Sequence, residues 1–213
     1  MKLKYNLFIF DIDGTLTSTN QLIFDSFNHI NSKYLGKILS PDEVIALFGP
    51  TEEEIIFELF GENADEAIAD YFVYYKENHN IASLHDGIDT LLDYIIENGG
   101  RIAAFTGKGR RSAEITLKEL GIFDRVEFLV SGDDVTLKKP SGEGIRTILK
   151  HFDSKPEETL MIGDSSADIK AANENGVPVA SVLWDCYSPE IVKKMNSGMI
   201  FNTVEELHGH ISR

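Results

Sequence analysis

The sequence predicts a doubly wound α/β protein built on a parallel sheet, with an all-helical segment inserted near its start. Three observations carry that expectation. Short, wholly apolar runs alternate with helix-period segments, which is the pattern of strands buried on both faces and joined by crossover helices. Several of the helical patterns stop at glycine. Finally, roughly seventy residues separate Leu16 from Asp86, where a plain crossover needs about a dozen.

Taken in order, Leu7–Phe10 is an apolar run that ends abruptly on Asp11, Ile12, Asp13 and Gly14. The long interval that follows reads as helices only. Ile23, Phe27, Ile30 and Tyr34 form one apolar stripe, and a further helix covers about Ala64 to Asn78. "SPDE" (Ser40–Glu43) and "TEEE" (Thr51–Glu54) are capping boxes, the first with Pro41 at its first helical position. Hinges fall near Thr15–Asn20 and Ser83–Asp86, and a helix from Gly87 to Asn98 returns the chain to the sheet. Strands are then expected at Arg101–Phe105, Val126–Val130, Thr159–Ile162 and Val177–Val182. Helices lie between them at Ser112–Leu120, Gly142–His151 and Ala167–Asn175.

Twenty Lys and Arg against thirty-five Asp and Glu give a net charge of −15. Nucleic acids and anionic membranes call for clustered positive charge, so neither is an expected partner. Any anionic substrate must be drawn in by a local positive feature. The single Cys186 excludes an internal disulfide, and no run approaches the roughly 20 apolar residues that span a bilayer. The expected location is cytoplasmic.

In an open parallel sheet the ligand site lies beyond the carboxyl ends of the strands, so the residues standing there are the informative ones. Asp11 and Asp13 follow the first strand, and Thr106 and Gly107 the second. Lys138 and Lys139 follow the third, and Gly163, Asp164 and Asp168 the fourth. Three carboxylates, Asp11, Asp13 and Asp164, repel one another unless a cation sits among them, and an all-oxygen set with room for water favours Mg²⁺. Thr106, the Gly107 N–H and Lys139 are donors suited to phosphoryl oxygens. A carboxylate facing a metal-bound phosphoryl group can act as a nucleophile.

These segments, "DIDGTL", "FTGK", "KKP" and "GDSSAD", resemble in order the four motifs of the haloacid dehalogenase (HAD) superfamily. The resemblance spans essentially the whole chain and looks closest to the phosphoglycolate-phosphatase-like group. It implies a Rossmann-like core over residues 1–16 and 84–213 and an α-helical cap over 17–83. It also implies that Asp11 is the nucleophile and Asp13 the general acid/base. Thr106 and Lys139 would bind the phosphoryl group, Asp164 would complete the metal site and Asp168 would orient the lysine. The implied activity is Mg²⁺-dependent hydrolysis of a small phosphorylated metabolite by a monomer or homodimer. A phosphosugar mutase resembling β-phosphoglucomutase uses the same core and is the alternative, and a non-enzymatic phospho-receiver module is a third reading. The chain departs from the group's pattern at Thr17–Thr19 after "DGTL", at Ser141-Gly142 after Pro140, and at Asp86 before Gly87.

Other features read as structural. Lys138 is expected to be a solvated neighbour of Lys139, and Tyr71–His79 to be interior to the insertion. The six histidines show no metal-ligand spacing, although His85 at the hinge could face the site.

Overall fold

The computed structural model describes residues 3–196 and 198–212. The first strand, β1 (Leu7–Phe10), is followed by a two-residue strand, β2 (Thr17–Ser18). Four helices come next: α1 (Asn20–Leu35), α2 (Pro41–Ile45), α3 (Glu52–Phe60) and α4 (Ala64–Glu77). A second short strand, β3 (Ser83–Leu84), leads to α5 (Ile88–Glu97), β4 (Arg101–Phe105), α6 (Arg110–Glu119), β5 (Phe128–Val130) and α7 (Glu143–Phe152). The chain closes with β6 (Thr159–Gly163), α8 (Ser166–Glu174), β7 (Val179–Val182), α9 (Pro189–Met195), β8 (Ile200–Phe201) and α10 (Val204–Ile211).

The main sheet is parallel with strand order β5-β4-β1-β6-β7-β8. From β1 the chain winds outward through β4 and β5, then crosses back to β6 on the other side of β1. The connections leaving β1 and β6 therefore diverge, which opens a crevice at their carboxyl ends. Alternation along the strands divides the apolar side chains between two faces. Phe8, Phe10, Ile102, Leu160 and Ile162 join Leu91, Ile95, Leu117 and Leu207 on one face. Leu7, Ile9, Phe105 and Met161 join Ile145, Ile148, Ile169 and Ala172 on the other. Every residue of β1 is buried, as its run of four apolar side chains requires.

The interval between β1 and β4 has a third apolar cluster of its own, in which Phe27 and Ile30 of α1, Ile56 and Phe60 of α3, and Tyr71 and Tyr75 of α4 meet. The first capping box forms in full, with Ser40 N–H donating to Glu43 Oε2 at 2.8 Å and Glu43 N–H to Ser40 Oγ at 3.3 Å. In the second only the Glu54 arm is made, Thr51 N–H donating to Glu54 Oε2 at 2.7 Å. Such caps are worth on the order of 1 kcal/mol each. The interval is not helical throughout, however. β2 and β3 pair antiparallel, Thr17 opposite Leu84 and Ser18 opposite Ser83, at the two expected hinges. Two-residue strands carry no periodic signal, so only tertiary structure reveals them. β8 escaped the sequence reading for the same reason. The helices α9 and α10, after β7, were not expected from the sequence either. The other differences are at element ends: β5 and β7 start two residues later than expected, and α6 starts at Arg110.

Candidate active site

The crevice at the ends of β1 and β6 opens into a cavity of about 510 Å³, a size suited to a small molecule. Its floor comes from the sheet edge and includes Asp11, Asp13, Thr106, Gly107, Lys139 and Asp164. Six of the nine residues singled out at the strand ends thus line one space. Lys138, Gly163 and Asp168 do not, and Asp168 lies fully buried just behind it.

Asp11 is fixed by its N–H, which donates to Ile162 O at 2.9 Å and extends the pairing of β1 with β6 by one residue. The Lys139 ammonium lies 2.9 Å from Asp11 Oδ1 and 2.6 Å from Asp168 Oδ1. Asp168 is held in turn by the Ser165 N–H at 3.0 Å and the Ser165 hydroxyl at 2.6 Å, within the capping box that starts α8. Burial pushes the Asp11 carboxyl up from 3.8 to about 7; Lys139 opposes that rise, while Asp168 and Asp13 add to it. Burial, followed by Asp11 and Asp168, holds Asp164 well above the usual carboxylate range. Burial disfavours a charged Lys139, but Asp11 and Asp168 outweigh it and raise its affinity for the proton above the lysine norm.

Asp11, Asp164 and Asp168 each present an oxygen, all within 4.8 Å of one another. Two neighbouring acids forced toward neutrality by burial and mutual repulsion form a set that a divalent cation relieves. Gly14 keeps this place open. Its φ is +76°, and a Cβ there would stand 2.8 Å from Asp164 Oδ2. The site therefore has the donor chemistry and the clearance for Mg²⁺. The Asp13 carboxylate points away from this cluster, toward the Thr19 hydroxyl, which donates to Oδ1, and the Lys108 ammonium, 3.2 Å from Oδ2.

Thr106 is held by its N–H, which donates to Val130 O at 3.0 Å, and its hydroxyl accepts from Lys108 N–H at 3.2 Å. Lys108 is the site residue that sequence reading missed. Its side chain is 2% exposed, and it lies between Asp13 at 3.2 Å and Glu52 at 3.4 Å. Burial opposes its charge, but Asp13, Tyr75 and Glu52 outweigh burial and raise it well above the usual lysine range. Glu52, at the first position of α3, also accepts from Gly109 N–H at 2.7 Å and from the Ser112 hydroxyl at 2.6 Å. The position of Lys108, two residues past Thr106 at a strand end, was a usable signal. Glu52 offered none, because an acid in a helix's first turn is ordinary.

Lys138 requires a correction. It does not sit solvated beside Lys139 but reaches across to Glu54 of α3, with both carboxylate oxygens 2.5 and 2.6 Å away. Only tertiary placement of α3 could supply that partner. His85 lies 3.6 Å from Asp185 and against Trp184, and it does not line the cavity. Tyr71 and Tyr75 are interior as expected, although the Tyr75 hydroxyl also lies 2.7 Å from the Thr116 hydroxyl on α6.

Comparison with known proteins agrees with this architecture. A pyrophosphatase PpaX from Bacillus mycoides is 28% identical over 207 residues, covering 93% of this chain and 96% of its own. Among solved structures, a predicted phosphoglycolate phosphatase from Haemophilus somnus superposes with a TM-score of 0.87 at 21% identity, covering 99% of both chains. A predicted phosphatase from Clostridium acetobutylicum gives 0.77 at 26% identity, covering 98% of both chains. No helix among the described residues is long and apolar enough to cross a membrane. Residues 8–182, from within β1 to the end of β7, match the family described as haloacid dehalogenase-like hydrolase, and the chain belongs to that family.

Proposed function

We propose that the chain is a Mg²⁺-dependent phosphatase that hydrolyses a small phosphate monoester, phosphoglycolate-like or a phosphosugar, through an aspartyl-phosphate on Asp11. The observation that carries this reading is the Lys139 ammonium bridging Asp11 and Asp168 on the cavity floor. It keeps the nucleophile oriented while leaving Asp11 open to the space above. The relatives named as pyrophosphatase and phosphoglycolate phosphatase support the reaction class.

Asp11 attacks phosphorus through a carboxylate oxygen, and the ester P–O bond breaks as Asp13 gives its proton to the leaving oxygen. Asp13 then takes a proton from water, whose oxygen attacks the phosphorylated Asp11 and releases inorganic phosphate. The Thr106 hydroxyl, the Gly107 N–H and Lys139 hold the phosphoryl oxygens through both steps. Asp11, Asp164 and the Asp13 backbone carbonyl are the groups that would hold Mg²⁺. Bound there, the ion supplies charge neutralisation at the phosphoryl group. Residues 17–83 serve as a cap over a core of 1–16 and 84–213, shielding the acyl phosphate from bulk water. A cytoplasmic setting fits the lone Cys186.

The test is phosphate release across a panel of phosphorylated metabolites, with and without EDTA. Release that EDTA abolishes is the expected result, and no release from any monoester overturns the reading. The mutase alternative predicts conversion of β-glucose 1-phosphate to glucose 6-phosphate without free phosphate.

A further inference from the structure

The roof of the cavity differs in chemistry from its floor. It is formed by α1, α3 and the turn before α3, through Ile23, Phe27, Phe48, Pro50 and Ile55. Among the described lining residues the only cations are Lys108 and Lys139. Each already lies within 3.4 Å of two carboxylates: Asp13 and Glu52 around Lys108, Asp11 and Asp168 around Lys139. Counting Asp164 as well, five carboxylates surround two ammonium groups. A divalent ion at the floor and the proton that Asp13 gives to the leaving oxygen together bring that set to neutrality, so no positive charge is left over for a second anionic group.

The transferred phosphoryl group is provided for by Thr106, Gly107 and Lys139. A second anionic group on the substrate's other end would meet apolar side chains and Glu52. Desolvating an anion without a partner is costly, and a nearby carboxylate adds repulsion. The other polar groups on that side, the Asn20 amide and the Tyr187 hydroxyl, are neutral hydrogen-bonding groups.

Resting on the phosphatase reading above, we infer that the leaving group is an uncharged alcohol with an apolar portion. A carboxylate or a second phosphate in that position is disfavoured. The inference separates this chain from two substrates in its relatives' names, since pyrophosphate and phosphoglycolate each carry a second anionic group. It also disfavours the mutase, because moving a phosphoryl group between two positions of one sugar passes through a bisphosphate.

The closing experiment compares kcat/KM with Mg²⁺ for n-butyl phosphate and for the phosphate ester of 3-hydroxypropionate, which are nearly isosteric and differ in one carboxylate. Pyrophosphate is the third substrate. We expect n-butyl phosphate to be preferred over both by at least about tenfold, equivalent to about 1.4 kcal/mol. Equal or reversed preference overturns the inference while leaving the phosphatase reading intact. Failure to release phosphate from all three and from the wider panel as well overturns both. Phe48 is 42% exposed and lies outside the reacting groups, so Phe48→Arg tests the roof directly. That variant should shift the ratio toward pyrophosphate by about tenfold, as one new charge-assisted contact would. An unchanged ratio in a variant with wild-type circular dichroism also overturns the inference.

Discussion

Lys139 and Lys108 are built alike but placed differently. Both are buried, both lie between two carboxylates, and both sit against an aromatic ring, Phe105 for Lys139 and Tyr75 for Lys108. The partners of Lys139 are Asp11, just past the end of β1, and Asp168, in the first turn of α8 that follows the neighbouring strand β6. Those of Lys108 come from opposite sides of the cavity, Asp13 from the sheet edge and Glu52 from α3. The first triad takes no residue from the inserted helices: Asp11 is held by its N–H on Ile162 O and Asp168 by the capping box of α8. The second exists only while α3 rests against α6. The same chemistry therefore serves as a fixed floor in one place and as a latch in the other.

Substitutions on the two sides should separate those roles. Asp11→Asn, on the floor, is expected to lower phosphate release by at least about 10⁴-fold with unchanged circular dichroism, and full activity would remove Asp11 from the mechanism. Asp13→Asn, shared with the latch, should lose most of the rate yet retain Mg²⁺ binding by calorimetry. Lys139→Met leaves Asp11 and Asp168 facing each other in a buried site, and breaking such a set costs about 3–5 kcal/mol. Lys108→Met should cost less, about 1–3 kcal/mol by urea denaturation, because Glu52 keeps Gly109 and Ser112 and Asp13 keeps Thr19. Equal losses would show that the latch is as permanent as the floor.

The smallest expected effect is a pH-dependent one. In the metal-free protein Asp11 titrates near 7, against 3.8 for an ordinary aspartate. Between those values the native state holds a proton that the unfolded chain has lost. This group's contribution to stability therefore falls as pH rises from 3.8 through 7. Mg²⁺ displaces that proton, so it should raise the thermal midpoint by several degrees at pH 8 and by less at pH 5, with EDTA reversing the gain. A larger gain at pH 5 would place the metal elsewhere.

The same contrast explains what the sequence disclosed. The floor was legible because its residues occupy strand ends, and a parallel sheet brings consecutive strand ends together wherever the chain goes in between. Asp11, Thr106 and Asp164 needed no knowledge of loop geometry, whereas Lys139, in the loop between β5 and α7, was legible through the segment "KKP". The latch was not legible, because Glu52 and Lys108 meet only through the way α3 packs on α6, and no spacing rule links an acid in one crossover to a lysine in the next. Lys138 and Glu54 were hidden for the same reason. The inserted helices were visible in their period and caps, but β2 and β3 were too short to show any period.

That two-residue ribbon has a consequence beyond the chemistry. Thr17 and Leu84 are opposed across it, and His85 N–H donates to Leu16 O at 3.1 Å, so the chain leaves the sheet and returns to it through one doorway. Everything from α1 to α4 is, in topological terms, a single ornate loop. A different module could be grafted between Leu16 and His85 without moving a strand of the main sheet, so that substrate preference can change by transplantation while Asp11 and Lys139 stay where they are.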